Sequence, residues 1–244
     1  MKPQKTVAIL QSNYIPWKGY FDLINSVDEF LIFDEAQFTR RDWRNRNKIV
    51  VNRKPVWLTI PVASKGQYEA AVNEMRVSSH DWAEKHWTAI RLAYGKSPFF
   101  GRYEPILKAL YERAGGMEGL SEINVLFLDA LCRELGIATA IGSTDGVPRS
   151  ADNPTGRLVE ICVAHGATRY LSGPAARDYI DDAQFEAAGV SLHYADYAGY
   201  PAYAQASDNF EHGVSIVDTL MQVGPAARTH LKSVASKDGL FARA

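Results

Sequence analysis

The sequence predicts an α/β protein built on a mostly parallel, doubly wound sheet. Short apolar runs alternate with amphipathic segments over the second half of the chain, as in successive β-α-β units. Three consecutive amphipathic segments predict a helical insertion at about 80–135. We expect residues 1–244 to form a single domain, since α/β domains often reach this length undivided.

The N-terminal half begins with two predicted buried strands. Thr6–Leu10 is a β-favouring apolar run that ends in a polar loop, and 30–33 is a second such run. Residues 20–25 between them predict a helix. The runs 48–51 and 56–62 flank the turn-like sequence NRKP and predict a hairpin outside the parallel pattern.

Apolar spacings of three and four predict the remaining helices. These segments are 81–94, 103–113, 120–135, 155–165 and 182–188. Ser121 is the predicted N-cap of the third, and Gly136, Gly166 and Gly189 are predicted to end the last three. The predicted strands among them are 137–141, 169–171 and 190–194.

The composition indicates an ordinary globular protein, with 46% hydrophobic and 23% charged residues. No run approaches the roughly 18 apolar residues of a membrane span, and the N-terminus lacks a signal-peptide pattern, so we expect a cytoplasmic location. Cys132 and Cys162 lie on apolar helix faces and are predicted to be core residues.

The net charge of −1 argues against a general nucleic-acid binder, which needs a basic surface. The expected partner is a small-molecule substrate. Charge is nevertheless concentrated locally, since 40–54 contains seven basic residues and one acid, Asp42. The sequence makes no prediction of oligomeric state.

The loop after the first strand, QSNYIPWKGYF, is the first candidate site. Aromatic rings beside amides suit a nucleotide base or a sugar ring, and the following helix N-terminus suits a phosphate. The alternative is a Pro-Trp plug that packs the loop against the core. The candidate binding residues are Gln11, Asn13, Tyr14, Trp17, Lys18, Gly19 and Tyr20.

The loop after the second strand, DEAQFTRRDWRNRNKI, is the second candidate. Arginine forks match carboxylate and phosphate oxygens. Asp34, Arg44 and Arg46 are the candidate catalytic residues. The candidate binding residues are Gln37, Trp43 and Asn45. A solvated basic face is an equally weighted alternative for Arg40, Arg41 and Arg53.

Two later loops complete the predicted site. In 142–157 the candidates are Ser143, Asp145, Thr155 and Arg157, and the alternative is an ordinary helix start capped by Asn153 or Thr155. In 170–181 they are Ser172 and Gly173, with a plain turn as the alternative. If this assignment is right, Tyr14, Trp17, Arg44 and Ser172, which come from three of these loops, converge on a single pocket.

Several known signatures are absent from the sequence. It contains no Walker loop, GxGxxG, GxSxG elbow or paired-cysteine zinc pattern. His80 and His86 are six residues apart, which is not the spacing of a helical zinc pair, so we predict no metal site there.

Five segments together resemble the WbqC-like family, in order and over nearly the whole chain. They are QSNYIPWKGYFDLI, DEAQFTRRDWRNRN, WLTIPV, HGATRYLSGPAARDYID, and YADYAGYPAYAQ with GVSIVDTL. Family members typically begin with His-Gln-Pro-x-Tyr, whereas this chain has Leu10 in place of the histidine. The resemblance implies a role in bacterial O-antigen or other surface-polysaccharide clusters, where glycine transfer to a sugar has been proposed.

The resulting first hypothesis is a transferase that moves an acyl or aminoacyl group to an amino sugar. Its substrates would be a nucleotide-linked or amino sugar and a carboxylate donor. Arg44 or Arg46 would position the donor, and Asp34 would be the base.

The second hypothesis is an ATP-dependent carboxylate-activating ligase or nucleotidyltransferase, with ATP as cofactor. Residues 17–20 resemble a degenerate HxGH motif, and 155–157 resemble the later phosphate-binding element, although both motif histidines are absent. This resemblance implies a nucleotidyltransferase-like, HUP-like fold. A non-catalytic carbohydrate- or RNA-binding module is the third hypothesis.

Overall fold

The computed structural model describes residues 3–242 and contains seven strands in two sheets. The strands are β1 (Thr6–Leu10), β2 (Glu29–Ile32), β3 (Arg46–Val51), β4 (Lys54–Thr59), β5 (Ala140–Ser143), β6 (Arg169–Ser172) and β7 (Ser191–Tyr194). Five of them form one sheet in the order β5-β2-β1-β6-β7, and every neighbouring pair is parallel. The predicted α/β class and mostly parallel sheet are confirmed.

Within residues 3–242, seven α-helices accompany the strands. They are α1 (Lys18–Asn25), α2 (Trp82–Tyr94), α3 (Phe100–Ala114), α4 (Leu120–Glu134), α5 (Pro154–Ala164), α6 (Asp182–Ala187) and α7 (Ile216–Val223). No helix among residues 3–242 is both long and apolar enough to cross a bilayer. Helices α2, α3 and α4 follow one another between β4 and β5, where the helical insertion was expected.

The two faces of the sheet pack against different helices. Val7 and Ile9 of β1 belong to a cluster with Ile161 of α5 and Phe185 of α6. Ala8 between them belongs to a larger cluster that includes α1, α2, α3, α4 and α7. Because side chains alternate along a strand, the sheet is covered on both sides, as in a doubly wound fold.

The strand order reverses between β1 and β6. The chain passes from β1 to β2 and β5 on one side, and then crosses to β6 and β7 on the other. Ligands of open parallel sheets bind beside the C-terminal ends of the strands at such a switch point. The loops that begin at Gln11 and Gly173 therefore border the expected crevice.

The predicted hairpin is formed by β3 and β4, which are antiparallel. Asn52 and Arg53 turn the chain with φ values of 47° and 67°, the left-handed conformation that a two-residue type I′ turn requires. The hairpin is tied to the helical layer, because the backbone amide of Val50 donates to the Tyr94 hydroxyl at 3.0 Å.

The C-terminal segment, residues 195–242, departs most from the sequence-based expectation. Its helix α7 was not predicted, since it is only eight residues long and irregular chain precedes it. The buried carboxylate of Asp22 in α1 anchors this segment: it accepts hydrogen bonds from the Tyr200 hydroxyl at 2.6 Å and from the backbone amides of Lys232 and Ser233, both at 2.9 Å.

Two smaller predictions have opposite outcomes. Cys132 and Cys162 are 4% and 0% exposed, which confirms them as core residues, and burial raises the pKa of both thiols to about 12. The prediction that Ser121 caps α4 is wrong, because Gly119 occupies the N-cap position and Ser121 lies in the first turn.

Candidate functional site

Three polar side chains meet at the C-terminal end of β1. The Arg44 guanidinium donates from Nε to Gln11 Oε1 at 2.8 Å and from Nη1 to Asn13 Oδ1 at 3.4 Å. Gln11 Nε2 in turn donates to the Gln37 backbone carbonyl at 3.0 Å. We call Gln11, Asn13, Gln37 and Arg44 the crevice cluster. It joins the loops after β1 and β2 beside the switch point.

Arg44 keeps a partly exposed side chain, although the protein already contacts each of its guanidinium nitrogens. Its side chain is 17% exposed, and its ion pair with Asp42 is 3.3 Å long. Burial raises the pKa of Tyr179, in the loop after β6, and the charge of Arg44 lowers it. The charge of Arg44 thus acts on Tyr179, which lies in the loop on the other side of the switch point.

Gly173 contributes open space at the end of β6. Its φ of −69° and ψ of 153° are extended values that any residue adopts, so the backbone does not require glycine there. A Cβ added at Gly173 would meet no atom within 4 Å. A conformational need of the turn therefore does not explain this glycine. The neighbouring Ser172 is buried.

Asp34 lies beneath the loop after β1 and holds it. Its Oδ1 accepts from the Ser12 backbone amide at 2.7 Å, and its Oδ2 accepts from Ser121 Oγ at 2.5 Å. The residue is 4% exposed, so no face of the carboxylate is open to a substrate amine. Ser121 of α4, which the sequence predicted only as an N-cap, is thus a hydrogen-bond partner of Asp34.

A second group of predicted residues lines a groove of about 600 Å³ between α4 and the edge strand β5. Ser143 and Asp145 lie on its rim, where Ser143 Oγ donates to Asp145 Oδ2 at 2.6 Å. Ser121 lines the same groove and connects it through Asp34 to the loop after β1.

Tyr14 does not belong to the crevice, and its predicted role as a ligand platform is corrected. It is 0% exposed and packs edge-on against Trp82 and Phe127. Its hydroxyl shares hydrogen bonds with His86 Nδ1 at 2.9 Å and with the Tyr111 hydroxyl at 2.6 Å. Burial lowers the pKa of His86 to about 4. This cluster fastens the loop to the helical insertion.

Trp17 and Lys18 face the C-terminal segment instead of the crevice. The Trp17 ring packs edge-on against Tyr197 and Tyr200, with centroids 5.1 and 5.7 Å away. Lys18 is 2% exposed and donates from Nζ to the Pro201 carbonyl at 3.2 Å. Three rings surround its ammonium at 5.2 to 5.5 Å. They belong to Tyr200, Tyr203 and Phe210.

The expected single pocket is therefore not formed. Tyr14, Trp17 and Arg44 contact the helical insertion, the C-terminal segment and Gln11 respectively. Tyr20 contacts the crevice cluster, because its hydroxyl donates to the Gln11 carbonyl at 2.9 Å.

Helix α5 has an ordinary capped N-terminus, which was the alternative to a ligand-binding loop at 142–157. Asn153 accepts from the Gly156 amide at 2.8 Å, and Thr155 Oγ1 accepts from the Asp181 amide at 3.2 Å. Arg157 donates to Glu35 Oε1 at 2.7 Å and to two backbone carbonyls. Its guanidinium is thus occupied within the fold.

The remaining candidates lie around the hairpin. Trp43 packs against Trp57 with centroids 5.2 Å apart, and the Arg46 guanidinium lies 4.1 Å from the Trp57 ring centroid. Asn45 is buried and donates from Nδ2 to the Ile60 carbonyl at 2.8 Å. Arg44 and Arg46 consequently contact different parts of the protein, Gln11 and Trp57 respectively.

Comparison with known proteins assigns the family. The model of the WbqC-like protein family matches residues 11–230. The chain belongs to the WbqC-like protein family. It is 41% identical over 228 residues to the Uncharacterized protein Rv1507c of Mycobacterium tuberculosis, covering 93% of this chain and 98% of the relative. No solved structure matches this chain.

The matched residues of this WbqC-like protein include the whole crevice cluster, the cage around Lys18 and most of the C-terminal segment. Leu10, at the position of the family histidine, falls just before the match and is the last residue of β1. Within residues 3–242 no group of three or more His, Cys, Asp or Glu is arranged to hold a metal ion.

The lowered pKa of Lys18 predicts how the free energy of unfolding depends on pH. Burial lowers this pKa to about 8, and the charge of Asp218 partly opposes the change. The unfolded chain then binds more protons than the folded one between the folded pKa and about 10.4. The free energy of unfolding should therefore rise relative to a Lys18→Met variant as pH increases from 7 to 9.5. Urea titrations across that range measure this difference, and a constant difference would contradict it.

Gly19 makes a second prediction. A Cβ added there would lie 2.2 Å from the Trp17 ring, so Gly19→Ala must displace the indole from its tyrosine neighbours. We expect a loss of about 2 kcal/mol in unfolding free energy. Gly101→Ala in α3 is the matched control, because an added Cβ there meets nothing within 4 Å. Equal stabilities of the two variants in denaturant titration would rule out the packing role of Gly19.

Proposed function

We propose that this protein is a transferase that moves an acyl or aminoacyl group, such as glycyl, onto an amino sugar, with its substrates in the crevice between β1 and β6. One observation carries this proposal. At the switch point, a Cβ added to Gly173 would meet no atom within 4 Å, and the neighbouring loop holds the Arg44 guanidinium. Nucleotide-linked sugars are the favoured substrates, and the cytoplasm is the proposed location.

Arg44 is the proposed anchor for a carboxylate or phosphate oxygen. Gln11 fixes its guanidinium through Nε, and a fixed fork loses little conformational freedom when it binds an oxyanion. The amides of Gln11 and Asn13 then offer hydrogen bonds to sugar hydroxyls. In the transfer step the amine nitrogen bonds to the acyl carbon, the bond to the activating group breaks, and the proton of the amine passes through water to the departing group.

Asp34 is proposed to position this site instead of acting as its base. Both of its oxygens accept hydrogen bonds from the protein, and the residue is only 4% exposed, so a substrate amine does not reach it. Through those bonds it fixes Ser12, which lies between Gln11 and Asn13.

The ATP-dependent alternative has less support. Lys18 would stabilise the leaving phosphate in that mechanism, but its ammonium is enclosed by the C-terminal segment. Arg157 would bind phosphate, but it already pairs with Glu35. Assays with and without ATP distinguish this mechanism from transfer out of an activated ester.

The test incubates purified protein with a panel of nucleotide-linked amino sugars and labelled glycine, supplied either as an activated ester or as the free acid with ATP. Labelled sugar from the activated ester supports the transferase. Product or pyrophosphate that appears only with ATP supports the ligase, and saturable sugar binding without product supports a binding module. A folded sample that neither binds nor converts any sugar would rule out the proposal.

A further inference from the structure

A second cavity, of about 250 Å³, lies between the loop after β2 and the chain that leaves β4. Its walls carry three guanidinium groups and no carboxylate. The three guanidinium groups belong to Arg40, Arg41 and Arg46, and Asn45 also lines the cavity. Within residues 3–242, none of the three arginines forms an ion pair. The cavity is therefore strongly electropositive.

Two buried polar atoms of its lining residues have no hydrogen-bond partner among the described residues. They are the acceptor Asn45 Oδ1 and the donor Arg46 Nε. Asn45 is 7% exposed and uses its other amide atom on the Ile60 carbonyl. Buried polar atoms are nearly always paired, so this unpaired acceptor and this unpaired donor are the atoms that a bound group would satisfy.

Two of the three arginines are held in place by contacts of their guanidinium groups within the protein. Arg40 donates to the Ser64 carbonyl and lies 5.0 Å from the Tyr68 ring centroid. Arg46 donates to the Arg41 carbonyl, and Arg41 itself adopts a left-handed φ of 59°. That backbone conformation is uncommon for a non-glycine residue.

We propose that this cavity binds the phosphate group of a small hydroxylated phosphate ester. Arginine forks match phosphate oxygens, Arg46 Nε supplies a further donor, and a ligand hydroxyl donates to Asn45 Oδ1. A simple carboxylate or a sulfate lacks the donated hydrogen and leaves Asn45 unpaired. The site is separate from the crevice and holds whether or not the crevice transfers an acyl group.

The test measures binding of inorganic phosphate, sulfate and acetate at pH 7.5 and constant ionic strength by isothermal titration calorimetry. Inorganic phosphate carries both oxyanion acceptors and a P–OH donor, so it should bind saturably and more tightly than either competitor. Arg46→Gln and Arg40→Gln should each weaken phosphate about tenfold or more. Asn45→Ala should abolish the preference for phosphate over sulfate.

Arg91→Gln is the matched control, because it removes the same charge from an exposed position on α2. It should leave phosphate affinity unchanged. Thermal melts check that each variant is folded, and Arg40→Gln decides the matter if Arg46→Gln unfolds, since the Arg40 side chain is exposed. An equal response of all variants, or acetate or sulfate binding as tightly as phosphate, would overturn the proposal.

Discussion

Asp34→Ala is expected to lower the free energy of unfolding by about 3 kcal/mol, because a buried amide loses its charged acceptor. The Ser12 amide, in a residue that is 0% exposed, would be left unpaired, and Ser121 would lose its bond across to the loop. Urea denaturation measures this loss. Activity should fall with it, since Gln11 and Asn13 flank Ser12.

Asp34→Asn separates positioning from base catalysis. The asparagine oxygen can still accept from Ser12, and its amide can donate to Ser121 Oγ, so the loss should shrink to about 1 kcal/mol. Substantial turnover should survive in this variant. A folded Asp34→Asn protein that binds sugar normally and has lost all turnover would show that Asp34 is the base.

Arg44→Gln is expected to weaken binding of the nucleotide-linked sugar or of the carboxylate donor by roughly tenfold to a hundredfold, the range of a charge-assisted bond to an oxyanion. Stability should change by less than about 1 kcal/mol, because its ion pair with Asp42 is partly exposed. Calorimetry with each substrate and thermal melts measure the two effects.

Two further variants sharpen the result for Arg44. Arg44→Lys keeps the charge but cannot form the planar fork that Gln11 holds, so it should recover only part of the affinity. Arg91→Gln should bind like the wild type. If Arg44→Gln binds both substrates as the wild type does, the crevice cluster is not the oxyanion site.

The sequence predicted the elements of the sheet well, because buried parallel strands are short apolar runs that need no knowledge of their partners. Thr6–Leu10 matches β1 in full, and the hairpin follows from the turn chemistry at Asn52 and Arg53. Helix α7 escaped prediction because its apolar face is fixed by tertiary packing over only eight residues.

The candidate site was harder to predict, because side-chain direction depends on contacts far apart in the chain. Tyr14 and Trp17 share one loop, yet the first is bound by Tyr111 and the second by Tyr197. Lys18 meets its acceptor 183 residues later, at Pro201. Residue type identified Gln11 and Arg44 as candidates, but only the fold brings the two side chains together.

The proposed position of the substrate, in the crevice at the end of β6, is tested most directly by Gly173→Val. The extended backbone of Gly173 suits valine, including before Pro174, and the added side chain enters space that holds no atom within 4 Å of the Cβ. We predict an unchanged melting temperature and sugar binding weakened about tenfold or more. A folded Gly173→Val protein that binds the nucleotide-linked sugar as tightly as the wild type would contradict the account.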